Sequence, residues 1–393
     1  MSRRVRRLGL HRLTSARHRG LLIALGVLAL LSSAVVVAMP AGASGGWEGF
    51  AAGSWPGGAW RPYAASSPFN QPIGSARVHP DSAPLVAGAL QWGPPAPLTA
   101  GTADTSEDYG HPVYYAQSSD PVYLLHPTEH WGHSTIAGRR IRIPVAARPA
   151  GGSDRHMTVV TPDGWEYDFG RAQPPPPGGG TLTFAWGGRV RVVGSGLNTG
   201  ATAAGFAGLA GVIRPEELAA GRIDHALFIV LKCTGSGTSF GYGARQSHGG
   251  AGSYVYPAAA GASACGKTGS LPPLGARFQL AMSTAQIAAL GIPAWKRAIL
   301  TALVKYGGYV GDTGGPGFAL MVQSSSTYTS FGAPDRLVQV ARAAGIAGHQ
   351  GRYLFDLAGG VDWQHYLRIV VPPASPRRVP PAAHRRASHK RRS

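Results

Sequence analysis

The sequence has only two cysteines, Cys233 and Cys265, and no C-x-x-C, so it lacks the ligand spacing of a structural zinc site. It contains no G-x-S-x-G, no H-E-x-x-H and no phosphate-binding P-loop, which removes the best-marked hydrolase, metalloprotease and nucleotide signatures. No segment recurs at a fixed period, against propellers and solenoids. Strand and helix patterns do not alternate as βαβ units, against a doubly wound parallel sheet. Charged residues are scarce, 14% of 393, and no cofactor or metal is expected.

Glycine (57) and proline (32) are abundant, and they separate apolar runs, which reads as turn chemistry in a strand-rich fold. The net charge of +19 is unevenly placed: residues 1–20 hold seven arginines, and the stretch from Pro372 onward holds seven cations. Neither contains an acid, so fourteen of the nineteen charges belong to the two ends and about +5 remains for the middle. The basic character therefore does not describe a nucleic-acid-binding surface on the folded part, and no nucleic-acid partner is expected.

Residues 21–38 form an uncharged apolar run behind the arginines and before Ala41-Gly42-Ala43, the pattern of an export signal, either cleaved or retained as an N-terminal anchor. The expected organisation is an export segment over 1–43, a Gly/Ser-rich linker over 44–66, one β-rich domain over 67–371 and a disordered basic tail over 372–393, which can contact anionic wall polymer or lipid. In an oxidising compartment the two cysteines read as a disulfide, Cys233–Cys265, closing a Gly/Ser-rich loop.

Strand signals dominate the domain. Residues 140–145 alternate with period two. Residues 156–161 and 165–169 flank Pro162-Asp163-Gly164, a hairpin signature. Residues 181–186 and 189–193 flank Gly187-Gly188 and read as a second hairpin. Helical patterns are expected over 81–90, from Pro215 to Gly221, over 283–290, 293–305 and 335–344. About a dozen short strands with few helices suggest a β-sandwich of jelly-roll type, expected as a monomer.

The chemistry must come from scattered polar residues. Asp154, Arg155 and His156 open one strand of the first hairpin, and Asp168 lies on the other, so His156 and Asp168 are expected to share a face. Asp224 and His225 precede the strand 226–232, and Asp312 lies between glycines after the long helix. Tyr167, Trp186 and Tyr256 are candidate sugar platforms, and Arg155 a candidate partner for an anionic sugar. His126, His130 and His133 have metal-compatible spacing, but Pro127 and nearby glycines oppose a helix that would present them together.

The segments SSPFNQPI (66–73), GSDRHMTVVTPDGWEYDF (152–169), ATAAGFAGLAGVIRPEELAAGRIDHAL (201–227), YVYPA (254–258) and KYGGYVGDTGG (305–315) together resemble a family of secreted, mostly actinobacterial β-rich proteins without an assigned activity. The resemblance implies that the segments around His156, Asp168, His225, Tyr256 and Asp312 belong to one module; the Cys-bracketed stretch 233–265 departs from it. The expectation is an exported carbohydrate-active enzyme. As a glycoside hydrolase it would draw two carboxylates from Asp154, Asp168, Asp224 and Asp312. A polysaccharide lyase with a His/Tyr pair, and a non-catalytic wall-binding protein, are the alternatives. The expected partner in each case is a polysaccharide or cell-wall polymer.

Overall fold

The computed structural model describes residues 50, 54–129, 135–197, 199–247, 252–266 and 271–374. Residues 1–43, read from sequence as an export segment, together with His130, His133 and most of the basic tail, lie outside the described residues. Within them the protein is mainly β, with several sheets and a few short helices. No described helix is long and apolar enough to cross a membrane.

Two hydrophobic cores organise the chain. The smaller is sandwiched between a four-stranded and a three-stranded sheet. The four-stranded sheet runs Val113–Tyr115, Met157–Val160, Trp165–Gly170, Trp186–Arg191; the three-stranded one runs Arg140–Arg142, Val122–Pro127, Gly180–Phe184. Tyr114, Met157, Val159, Tyr167 and Phe169 from the first pack with Tyr123, Leu125, Ile141, Leu182 and Phe184 from the second. Strand side chains alternate in direction, so the opposite face of the four-stranded sheet sends Val113, Tyr115, Val160 and Val190 into the larger core.

That core surrounds a five-stranded sheet ordered Phe318–Leu320, Leu227–Leu231, Gly308–Thr313, Arg277–Leu280, Leu367–Val370. Helix Ala294–Lys305 packs beside it because Trp295, Ala298, Ile299, Ala302 and Leu303 recur at helical spacing and are all buried. Helix Thr284–Ala289 is started by a Ser283–Gln286 capping box.

The first expected hairpin forms, with Met157 opposite Phe169. The second does not. Gly180–Phe184 pairs parallel with Val122–Pro127, while Trp186–Arg191 pairs with Trp165–Gly170 in the other sheet. Gly187 and Gly188 are strand residues opposite Phe169 and Asp168, and Gly188 is needed because a Cβ there would lie 1.5 Å from the Thr199 carbonyl oxygen. Three strand pairs run parallel, so the pairing does not trace the antiparallel jelly roll expected from strand lengths.

Residues 54–66, assigned by composition to a linker, are packed onto the domain. Tyr63 N–H donates to Val192 O (2.6 Å), and Asn70 Nδ2 donates to the carbonyls of Pro62, Tyr63 and Ala64. Tyr63 is buried at φ 72°, a conformation costly for an aromatic residue and held by these bonds. Cys233 and Cys265 form a disulfide.

Candidate functional site

The hairpin register creates a polar face. Thr158 lies opposite Asp168 and Val160 opposite Glu166. With period-two alternation, His156, Thr158, Glu166 and Asp168 point to one side. Glu166 and Asp168 have no exposed surface.

The Ala/Gly-rich segment 201–211 lies against this face, and its small side chains let the backbone approach the acids closely. Leu209 N–H donates to Glu166 Oε1 (2.8 Å). Gly208 N–H donates to Asp168, and Ala203 N–H to Asp312. A Cβ on Gly208 would lie 2.2 Å from Thr158 Oγ1, 2.4 Å from His111 Nε2 and 2.5 Å from Asp168 Oδ1. Gly208→Ala should therefore destabilise the fold by about 1–3 kcal/mol, as overpacking does, read as a lowered urea midpoint; an unchanged midpoint would contradict this close fit.

Behind the face runs a hydrogen-bonded series. The Tyr63 hydroxyl donates to Glu166 Oε2 (2.8 Å). The Thr158 hydroxyl donates to Asp168 Oδ1 (2.6 Å), and His111 Nε2 lies 2.8 Å from Thr158 Oγ1. The His111 ring is 5.2 Å from that of His156, whose Nε2 is 3.8 Å from Asp154 Oδ2. Burial, reinforced by Asp168, raises Glu166 well above its ordinary value. Burial pushes Asp168 up to about 6 against the bonds from Thr158 and Gly208. Burial and His156 hold His111 low and neutral.

An acid with a raised folded pKa binds its proton more readily in the native state. Its stabilising contribution is present below the unfolded value and lost as pH rises through the folded one. For Asp168 that window runs from about 4 to about 6. Asp168→Asn, which keeps an acceptor for Thr158, should thus stabilise the protein by about 3 kcal/mol at pH 8 and by little near pH 4. Chemical denaturation at both pH values checks this, and equal shifts at the two would contradict it.

The face opens into a cleft of about 760 Å³ lined by Asp154, His156 and Asp312, with Asp108, Tyr109 and Ser324 also on its wall. Asp312 reaches it through a bulge: the register between Gly308–Thr313 and Leu227–Leu231 shifts between Val310 and Asp312, which re-aims the side chain. Gly311 permits this because the Phe228 ring lies 2.3 Å from where its Cβ would be. Burial pushes Asp312 up to about 6. Asp154 is held below the ordinary range by the neighbouring imidazole of His156. Asp108, raised by burial, accepts from the Ser324 and Ser326 hydroxyls (2.6 and 3.1 Å). The cleft thus contains an acid inclined to keep its proton beside one inclined to lose it.

The structure gathers Asp154, His156 and Asp312 at the cleft and places Asp168 behind them. The other expected site residues lie elsewhere. His225 is buried against Glu217 Oε1 (3.0 Å) and Ala226 O (2.9 Å), and Asp224 pairs with Arg222. Tyr167 faces the smaller core, on the side away from His156. Trp186 packs over Gly170, and its Nε1 donates to Ala201 O (3.1 Å). Exposed Arg155 donates to Gln173 Oε1 (3.3 Å), and half-buried Tyr256 is not on the cleft wall. Sequence pattern did not single out Glu166, two residues before Asp168 and therefore on its face, nor His111, Thr158 and Asp108. The i, i+2 acid pair in Trp165-Glu166-Tyr167-Asp168 was the available signal.

A second groove, about 830 Å³, lies between Pro215–Ala220 and Arg336–Ala343. Its lining is mostly apolar, and its charged residues, Glu216 and Arg336, are paired with each other (3.0 Å). It offers no acid–base constellation. Among the described residues, no three His, Cys, Asp or Glu side chains are placed to hold a metal ion. No family model, curated protein or solved structure matches the chain.

Proposed function

We propose that the protein is an exported glycoside hydrolase of extracellular or cell-wall polysaccharide, with its active site in the Asp154–His156–Asp312 cleft. What carries this reading is the presence in one cleft of two carboxylates displaced in opposite directions, Asp312 upward and Asp154 downward. Environments that push two acids apart assign the general acid and the base. In the proposed step, Asp312 gives its proton to the glycosidic oxygen as the bond from that oxygen to the anomeric carbon breaks. A water forms the new bond to that carbon, and Asp154, backed by His156, takes the water's proton. Tyr109, 53% exposed on the cleft wall, supplies an aromatic face for a sugar ring.

A lyase acting on uronates needs a cation to neutralise the sugar carboxylate. Among the described residues no Lys or Arg lines this cleft, which favours hydrolysis of a neutral glycan. Export is proposed from the apolar run at 21–38 and its arginines.

The test is reducing-end release from a panel of neutral glycans, with ultraviolet detection of unsaturated products in parallel. Reducing ends without unsaturation, lost in Asp312→Asn, are expected. Silence across the panel, or release untouched by both Asp312→Asn and Asp154→Asn, would overturn the proposal.

A further inference from the structure

His111 lies between the buried acids and the cleft, and the proposed hydrolysis gives it no task. Its Nε2 is hydrogen-bonded to Thr158 Oγ1, whose hydroxyl is in turn bonded to Asp168 Oδ1. Gly208 lies so close to all three atoms that no side chain fits there. Thr158 reaches Asp168 at Oδ1, and the Glu166 carboxyl is the other side-chain hydrogen-bonding neighbour of Asp168.

We propose that His111 is a positioning residue whose neutral tautomer is set by Asp168 through the Thr158 hydroxyl, so that the protonation of a core carboxylate is felt by His156 in the cleft. The two states follow from donor and acceptor counting. With Asp168 ionised, His111 Nε2–H donates to Thr158 Oγ1 and the Thr158 hydroxyl donates to Asp168 Oδ1. With Asp168 protonated on Oδ1, both bonds reverse: Asp168 donates to Thr158, and Thr158 donates to the Nε2 lone pair.

Between these states the Nε2 proton passes to Thr158, the Thr158 proton passes to Asp168, and Nδ1 takes one proton from solvent. One proton is gained in all, and the imidazole remains neutral. The N–H dipole of a ring 5.2 Å from His156 is thereby reversed.

The titratable groups facing the series are few. Glu166 lies on Asp168's own strand, Tyr63 reaches Glu166 from the N-terminal arm, and His156 opens the neighbouring strand. Burial and Asp168 push Glu166 well up, and burial and His156 both disfavour a second proton on His111. Asp168, pushed up to about 6, is the group that changes state near neutral pH.

The experiment is long-range proton–nitrogen NMR of the full chain from pH 5 to 8, with His111 assigned by its absence in His111→Gln. Above about pH 6, Nε2 should carry the proton, and below it Nδ1, following the Asp168 value of about 6. A single tautomer throughout, or a doubly protonated His111 at the acid end, would overturn the proposal. Thr158→Val should abolish the crossover and Thr158→Ser should retain it; a crossover that persists in Thr158→Val also overturns it. If Thr158→Val does not fold, the wild-type titration decides alone. No substrate is involved, so this result stands apart from the success or failure of the hydrolase reading.

Discussion

Glu217→Ala should destabilise the fold by about 3–5 kcal/mol, the range for removing one partner from a buried charge pair. Arg214 is 2% exposed and Glu217 1%. The guanidinium donates to Glu217 Oε1 (3.1 Å) and to the carbonyls of Pro56, Gly57 and Trp60, tying the N-terminal arm to helix Pro215–Ala220. Glu217 also accepts from the Arg214 backbone N–H (2.9 Å) and lies 3.0 Å from His225 Nε2. Burial raises the Glu217 carboxyl, but His225 and Arg214 outweigh it and hold the carboxyl below its ordinary value. Its contribution to stability is therefore present above the unfolded pKa and lost as pH falls through the folded one, opposite in sign to Asp168. Without Glu217, Arg214 keeps its burial and loses its counter-charge. Urea denaturation at pH 7 should show the loss as a lower midpoint, and limited proteolysis should cut the arm near residues 56–60. A loss under 1 kcal/mol would mean that the carbonyls alone satisfy the guanidinium.

Asp312→Asn should reduce glycan hydrolysis roughly 10²- to 10⁴-fold, the usual weight of a positioned general acid. The wild-type rate should fall on the alkaline side as Asp312, pushed up to about 6, loses its proton. The acid limb should lie below the ordinary carboxylate range, where Asp154 becomes protonated. The maximum then lies on the acid side of pH 6, and the alkaline limb should disappear in the variant. Aryl glycosides with good leaving groups need little protonation, so Asp312→Asn should impair their hydrolysis far less than that of a polysaccharide. A rate that holds steady through pH 6–8, or equal losses on both substrate types, would show that Asp312 is not the acid.

The residues that explain the site were legible to different degrees. The hairpin was readable because Pro162-Asp163-Gly164 sets a local turn, and with it came the shared face of His156 and Asp168. The strand Trp186–Arg191 was not, because its two glycines look like a turn; they are there because the Thr199 carbonyl oxygen crowds Gly188 and Asp168 O lies 2.2 Å from where a Cβ on Gly187 would be. Asp224 and His225 were each candidate site residues, yet one pairs with Arg222 and the other with Glu217. Which way a polar side chain turns depends on partners distant in the chain, and neither composition nor periodicity carries that.

By itself the sequence determined the basic ends, the strand-rich character, the position of the long helix and the cysteine pair that proves to be bonded. Each follows from local composition or short-range spacing. Only the tertiary structure decided that the Ala/Gly-rich stretch 201–211 lends backbone amides to Glu166, Asp168 and Asp312. It also decided that Asp312, more than 150 residues from Asp154, shares a cleft with it. Burial and neighbouring charge then move those acids apart, and both are properties of the packed molecule.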